Sequence, residues 1–128
     1  MNFEDEYLER LEKLIAEDPR YPVDAYEFVR LAVSYTTQKH RQKGTGKETR
    51  HVSGQELLDG IRELGLDQFG PLAADIFREW GITRTEDFGA IVFNLVNHNL
   101  LGATDEDSPA DFADGYDFTD AFLKPFVE

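Results

Sequence analysis

Cysteine is absent from the 128 residues, which excludes disulfides, thiolate metal sites and thiol nucleophiles together. No apolar run approaches the roughly 20 residues that a membrane-spanning helix needs. The opening MNFEDEYLER carries acids where a secretory leader needs a basic region followed by an apolar one. Basic residues are scarce as well: 13 Lys and Arg stand against 26 Asp and Glu, a formal net charge of −13. An acid excess of that size repels nucleic acid and anionic membranes at long range. The expectation is a cytoplasmic protein with no membrane attachment and no cofactor, whose partner is another protein in preference to a nucleic acid. Self-association stays open.

Aromatic residues, by contrast, are plentiful. Ten Phe, five Tyr and one Trp within a 41% hydrophobic composition point to a folded globule rather than a disordered acidic chain. The length suits one domain with a real core. Charge divides that domain. Residues 1–19 hold seven acids and two bases, residues 20–50 seven bases and three acids, residues 51–101 eight acids and three bases, and residues 102–128 eight acids and one lysine. The expected organisation is an N-terminal helical pair with a basic loop (1–50), a central three-helix block (51–102) and an acidic, aromatic tail packed on the core (103–128).

Five helices follow from periodicity. Phe3, Tyr7, Leu8, Leu11, Leu14 and Ile15 recur at helical spacing, and Asp18-Pro19 stops the run because a residue before proline is pushed out of the helical region. A second helix opens at Pro22, buries Ala25, Tyr26, Phe28, Val29, Ala32 and Val33 with Thr36 at the end of the stripe, and runs into the cations Lys39, His40, Arg41 and Lys43, which suit a helix C-terminus. Ser53-Gly54-Gln55-Glu56 has the form of a capping box and opens the third helix. Its Gly60 and Gly65 each cost about 1 kcal/mol against alanine, so packing has to hold it. Gly70-Pro71 ends it and begins a fourth helix burying Leu72, Ala73, Ile76, Phe77 and Trp80, with Gly81 as its stop. Thr83-Arg84-Thr85-Glu86 offers a second capping box, and the fifth helix carries the cleanest stripe: Phe88, Ile91, Val92, Leu95, Val96 and Leu100. Its polar side presents Asn94, Asn97, His98 and Asn99. After Gly102, Leu100–Ala103 and Tyr116–Phe118 are set as the two arms of a small β-hairpin around an acidic loop.

Chemistry is harder to find. The segment Gln38–Arg50, with Lys39, Arg41, Lys43, Lys47 and Arg50, is the strongly basic stretch, yet its glycines lack the phosphate-loop frame and it has no aromatic for base stacking. His40, His51 and His98 show no paired metal spacing. Set from Asp105, a calcium-loop frame meets Pro109, Ala110 and Tyr116 at its fifth, sixth and twelfth positions, so it fails. No serine sits in a nucleophile elbow. These patterns assign no catalytic, cofactor or metal residue. The candidate partner-binding residues are Asn94, Asn97 and His98 on the fifth helix and Lys39, Arg41, Lys43, Lys47 and Arg50 on the basic stretch.

Four stretches, RHVSGQELLDGIR (50–62), QFGPLA (68–73), EWGITRTEDFGAIVFNLV (79–96) and GYDFTDAF (115–122), resemble a family of short proteins of planctomycete and verrucomicrobial bacteria. The resemblance spans nearly the whole chain and is most specific between His51 and Gly102. It implies a stand-alone bacterial cytoplasmic domain whose members differ in loop 38–50. The family has no assigned activity, so no catalytic residue is carried over. The order of the fifth helix and the hairpin also resembles a winged helix, with Glu86–Leu100 in the recognition position. That helix offers no lysine or arginine on its polar face, and Asp105, Glu106 and Asp107 would sit on the wing. The sequence therefore reads as a mainly α single domain acting as a protein-interaction or regulatory adaptor. A winged-helix nucleic-acid regulator is the alternative, and an enzyme of a class these motifs do not reveal comes third.

Overall fold

The computed structural model describes residues 3–42, 53–102 and 109–126. Five α-helices carry the fold: α1 (Phe3–Glu17), α2 (Val23–Gln42), α3 (Gly54–Phe69), α4 (Ala73–Glu79) and α5 (Thr85–Asn97). A 3-10 turn at Gly70–Leu72 joins α3 to α4. The tail adds a 3-10 turn at Pro109–Phe112, a π-helical turn at Thr119–Leu123 and a 3-10 turn at Lys124–Phe126. Mainly helical is the right description, and no helix among the described residues is long and apolar enough to cross a membrane.

The helix boundaries have local causes. Ser53 Oγ accepts from Glu56 N at 3.1 Å while Glu56 Oε1 accepts from Ser53 N at 3.0 Å, which satisfies two orphan donors at the start of α3. Gly70 ends that helix at φ +55, a conformation that favours glycine. At α5 the cap differs from the expected Thr83–Glu86 pair. Asp87 supplies it instead, with Oδ2 accepting from Thr83 N at 2.9 Å and Arg84 N at 3.3 Å. Thr85, the first residue of the helix, turns its hydroxyl to the tail instead. The helix also stops at Asn97 rather than Leu100. Asn99 turns left-handed at φ +60, Asn99 N donates to Val96 O and Leu100 N to Leu95 O, the bond pair of a Schellman stop.

α2 and α3 pack closely because Gly60 has no side chain. A Cβ there would stand 1.8 Å from Thr36 Oγ1, and the buried Thr36 hydroxyl already donates to Ala32 O at 2.7 Å. Helix propensity alone favours Gly60→Ala by about 1 kcal/mol. Packing reverses the sign: we expect the variant to lose about 1–3 kcal/mol, as overpacked cores do, measured by urea denaturation. A gain in stability would show that the two helices separate at little cost.

Phe77 stands at the centre of the core. From the seven-residue α4 it meets the rings of Phe28, Phe69, Trp80, Phe88, Phe118 and Phe122, at centroid distances from 5.1 to 6.1 Å. Leu72, expected inside, is exposed instead, because the 3-10 turn rotates it away from α4's buried side.

No strand occurs among the described residues, so the expected C-terminal β-hairpin and the wing it would form are not seen. Asp105, Glu106 and Asp107 of the acidic loop lie outside the described residues. The physical reason is that Gly115 and Tyr116 bond to helices and Asp117 bonds within the tail, so among the described residues this stretch has no neighbouring strand to pair with. Gly115 N donates to Thr85 Oγ1 at 3.0 Å, and that hydroxyl donates to Phe112 O at 2.6 Å. Tyr116 OH donates to Leu58 O at 2.9 Å, while Phe118 stacks on Phe88 with centroids 5.8 Å apart. Phe112 and Phe122 are buried.

Candidate functional site

Two places gather the sequence-selected residues. The first is the seam between α2 and α5, with Asn94 and His98 at its polar edge. Asn94 Nδ2 donates to Asp18 Oδ2 at 2.9 Å and to Tyr26 OH at 3.1 Å. His98 Nδ1 lies 3.0 Å from Asn94 O, and Nε2 lies 2.7 Å from Glu17 Oε2. Arg10 Nη1 donates to Asn99 O at 3.3 Å. All three partners, Arg10, Glu17 and Asp18, belong to α1 or the residue that ends it. The side of α5 expected to face solvent thus receives the chain's own first helix. Asn97 alone of the three selected α5 residues is exposed.

α1 sits there as an amphipathic helix in a groove. Leu11 and Leu14 are buried, with Tyr7 and Ile15 packed beside the core. At the far end Tyr7 OH donates to Glu27 at 3.1 Å, and the Arg30 guanidinium lies over the Tyr7 ring at 4.1 Å, a cation–π contact. At the near end a polar knot closes the seat. Arg20 grips Asp18 through two hydrogen bonds at 2.8 and 2.6 Å. The Arg20 guanidinium, helped by Asn94, holds the Asp18 carboxyl well below the usual carboxylate range. Burial raises the Tyr26 phenol, so it stays neutral in that knot. Beside it burial and Asp87, to which Tyr21 OH donates at 2.7 Å, push the Tyr21 phenol well above its ordinary value.

The second place is an open cleft of about 260 Å³ between the end of α2 and the start of α3. Lys39 pairs with Glu63 across it, and that carboxylate raises the lysine's pKa. His40 Nδ1 lies 3.4 Å from Glu56 Oε2. Asp59 and Arg62 complete a rim of mixed sign, with Thr36 and Gly60 as floor. Lys39 is the one basic-stretch candidate whose side chain can be placed: Lys43, Lys47 and Arg50 and the Arg41 side chain lie outside the described residues. The cleft offers ion pairs and hydrogen-bond donors, and the Thr36 hydroxyl in it donates to Ala32 O. Among the described residues no group of three His, Asp or Glu side chains is placed to hold a metal ion.

Sequence reasoning found Asn94 and His98 but missed Glu17, Asp18 and Tyr26, the groups they meet. The signal available was local: Asp18-Pro19 marks a helix end, and nothing in it says which helix that end will touch. Thr85 does open α5, but nothing local says that its hydroxyl also anchors the tail. Compared with known proteins, the chain matches no family model, no curated protein and no solved structure.

Proposed function

We propose that this protein is a non-enzymatic interaction module, an adaptor that receives a helix of a protein partner at the α2–α5 seam and uses the basic end of α2 for charge complementarity. The observation that carries this reading is the seat of α1: the groove beside α5 accepts an amphipathic helix through apolar anchors and a polar edge of Asn94 and His98. Helix-in-groove recognition works through that combination. The exposed Asn97 and the basic residues Lys39, Arg41, Lys43, Lys47 and Arg50 would extend the surface, and charge there sets orientation and on-rate more than affinity. We assign the protein to the bacterial cytoplasm on the resemblance of its sequence words.

The test is capture of one identified partner by the purified chain. Asn97→Ala and Lys39→Glu are expected to weaken it at least about tenfold, or 1.4 kcal/mol, with melting temperatures within a few degrees of the parent. Random duplex DNA is expected to give no mobility shift at about 150 mM salt. A shift that disappears on neutralising Lys39, Arg41, Lys43, Lys47 and Arg50 would replace the adaptor by the nucleic-acid regulator.

A further inference from the structure

We propose that α1 is a releasable cover: it fills the α2–α5 groove in this structure and yields it to a helix of the same pattern carried by a partner protein. The proposal rests on the adaptor reading and adds to it an autoinhibitory contact.

Among the described residues, α1 contributes no side chain to the ring cluster that ties the other four helices to the end of the tail. That cluster draws on Phe28 from α2, Phe69 from α3, Phe77 from α4, Phe88 from α5 and Phe118 and Phe122 from the tail. Tyr7 of α1 stays outside it, at the surface against Arg30. The helix enters the core through Leu11 and Leu14, with Tyr7 and Ile15 alongside. Those four positions follow the i, i+4, i+7, i+8 spacing by which an amphipathic ligand helix fills a groove. The strip between them is bounded by Glu27 and Arg30 at one end and by Asn94, Tyr26 and His98 at the other.

Asn94 to Asp18 is a part-buried bond, but the other polar contacts along α1 are of a kind that water can replace. Tyr7 to Glu27, Arg10 to Asn99 O and His98 to Glu17 are all solvent-exposed bonds. Glu17 lies in the last turn of α1, which has no basic residue, and the helix dipole disfavours a carboxylate there. Away from its seat, then, the C-terminal end of α1 carries an uncompensated carboxylate. Docked, Glu17 and Asp18 meet donors from His98 and Asn94. No described ring of α1 takes part in the ring cluster. Its departure would therefore remove Leu11 and Leu14 from the core but no described ring contact of the body, which is what a cover that opens without unfolding the body requires.

The seat also defines its ligand. A competing helix needs apolar side chains at the α1 spacing and two carboxylates at its C-terminal end, one for His98 and one for Asn94 Nδ2. Like-charged copies of this chain, each at −13, repel one another, so a helix from a different protein is the favoured occupant over exchange between copies.

Native-state hydrogen exchange on the full chain tests the opening. Amides of α1 are expected to exchange at lower denaturant than those of α2 and α3, and Leu14→Ser should accelerate α1 alone. Exchange of α1 only together with α2 and α3 would overturn the proposal and leave the adaptor reading to its own capture test. A labelled peptide of residues 3–18 then probes the vacated groove. Because apparent affinity scales with the open fraction, the Leu11→Ser, Leu14→Ser chain should bind it at least about tenfold more tightly than the parent. The same peptide carrying Leu14→Ser should not bind. Peptide binding to neither chain would also overturn the proposal, even with early exchange of α1. Should the double variant fail to fold, exchange and peptide binding in the parent decide the matter. Sedimentation of the mixtures distinguishes a bound peptide from exchange between copies, and a dimer that swaps α1 would count against the partner helix.

Discussion

Truncation after Gly102 is expected to leave a chain that does not fold cooperatively. Phe112 and Phe122 are buried at 2% and 0% exposure, and burying each contributes about 1.5–3 kcal/mol. Tyr116 and Phe118 cover further apolar surface, and the Tyr116 hydroxyl occupies Leu58 O. Losing all four approaches the 5–15 kcal/mol by which a domain of this size is stable. It also uncovers Phe77 and Phe88, which lie against Phe118. Circular dichroism should show helical signal without a cooperative melt, accompanied by aggregation. A melting curve like that of the intact chain would mean the tail contributes nothing to the core.

The second large effect is expected from Phe77→Ala, at about 3–5 kcal/mol. Phe77 is fully buried and its ring is shared by α2, α3, α5 and the tail. Edge-to-face pairs add about 0.5–1.5 kcal/mol each beyond area, so the loss should lie near the top of the range. Leu72→Ala, five residues earlier and 59% exposed, should stay within about 0.5 kcal/mol. Urea denaturation of the two variants gives the comparison directly. Equal losses would mean that the ring cluster is slack and that α4 is held from elsewhere.

What could be read from the sequence, and what could not, follows the range of each interaction. Ser53 with Glu56, Gly70, and the proline stop after Asp18 act within one helical turn, and the helices begin and end near them. The stripe of Phe88, Ile91 and Leu95 was legible for the same reason, since periodicity of one helix names its buried face. Periodicity cannot say what covers that face. Asn94 and His98 stood out as polar residues beside the stripe, but their partners Asp18 and Glu17 are 76 and 81 positions away. Gly60 looked like a weakness in α3 and is the contact that lets Thr36 approach. The hairpin expectation failed because alternating aromatics at Tyr116 and Phe118 suit a strand and an irregular anchor equally, and the deciding bond, Gly115 N to Thr85 Oγ1, is long-range as well.

The position of Phe122 in the core has a consequence for biosynthesis. A ribosome delivers α1 through α5 before it delivers the ring that closes the packing around Phe77. Until residue 122 leaves the exit tunnel, the helices already made lack the rings that cover Phe77 and Phe88. The contacts that join the tail to α3 and α5 span tens of residues, and such pairings form slowly. Nascent chains therefore pass through an interval in which Phe77 and Phe88 are accessible to chaperones, and arrest of translation near Gly102 would prolong it.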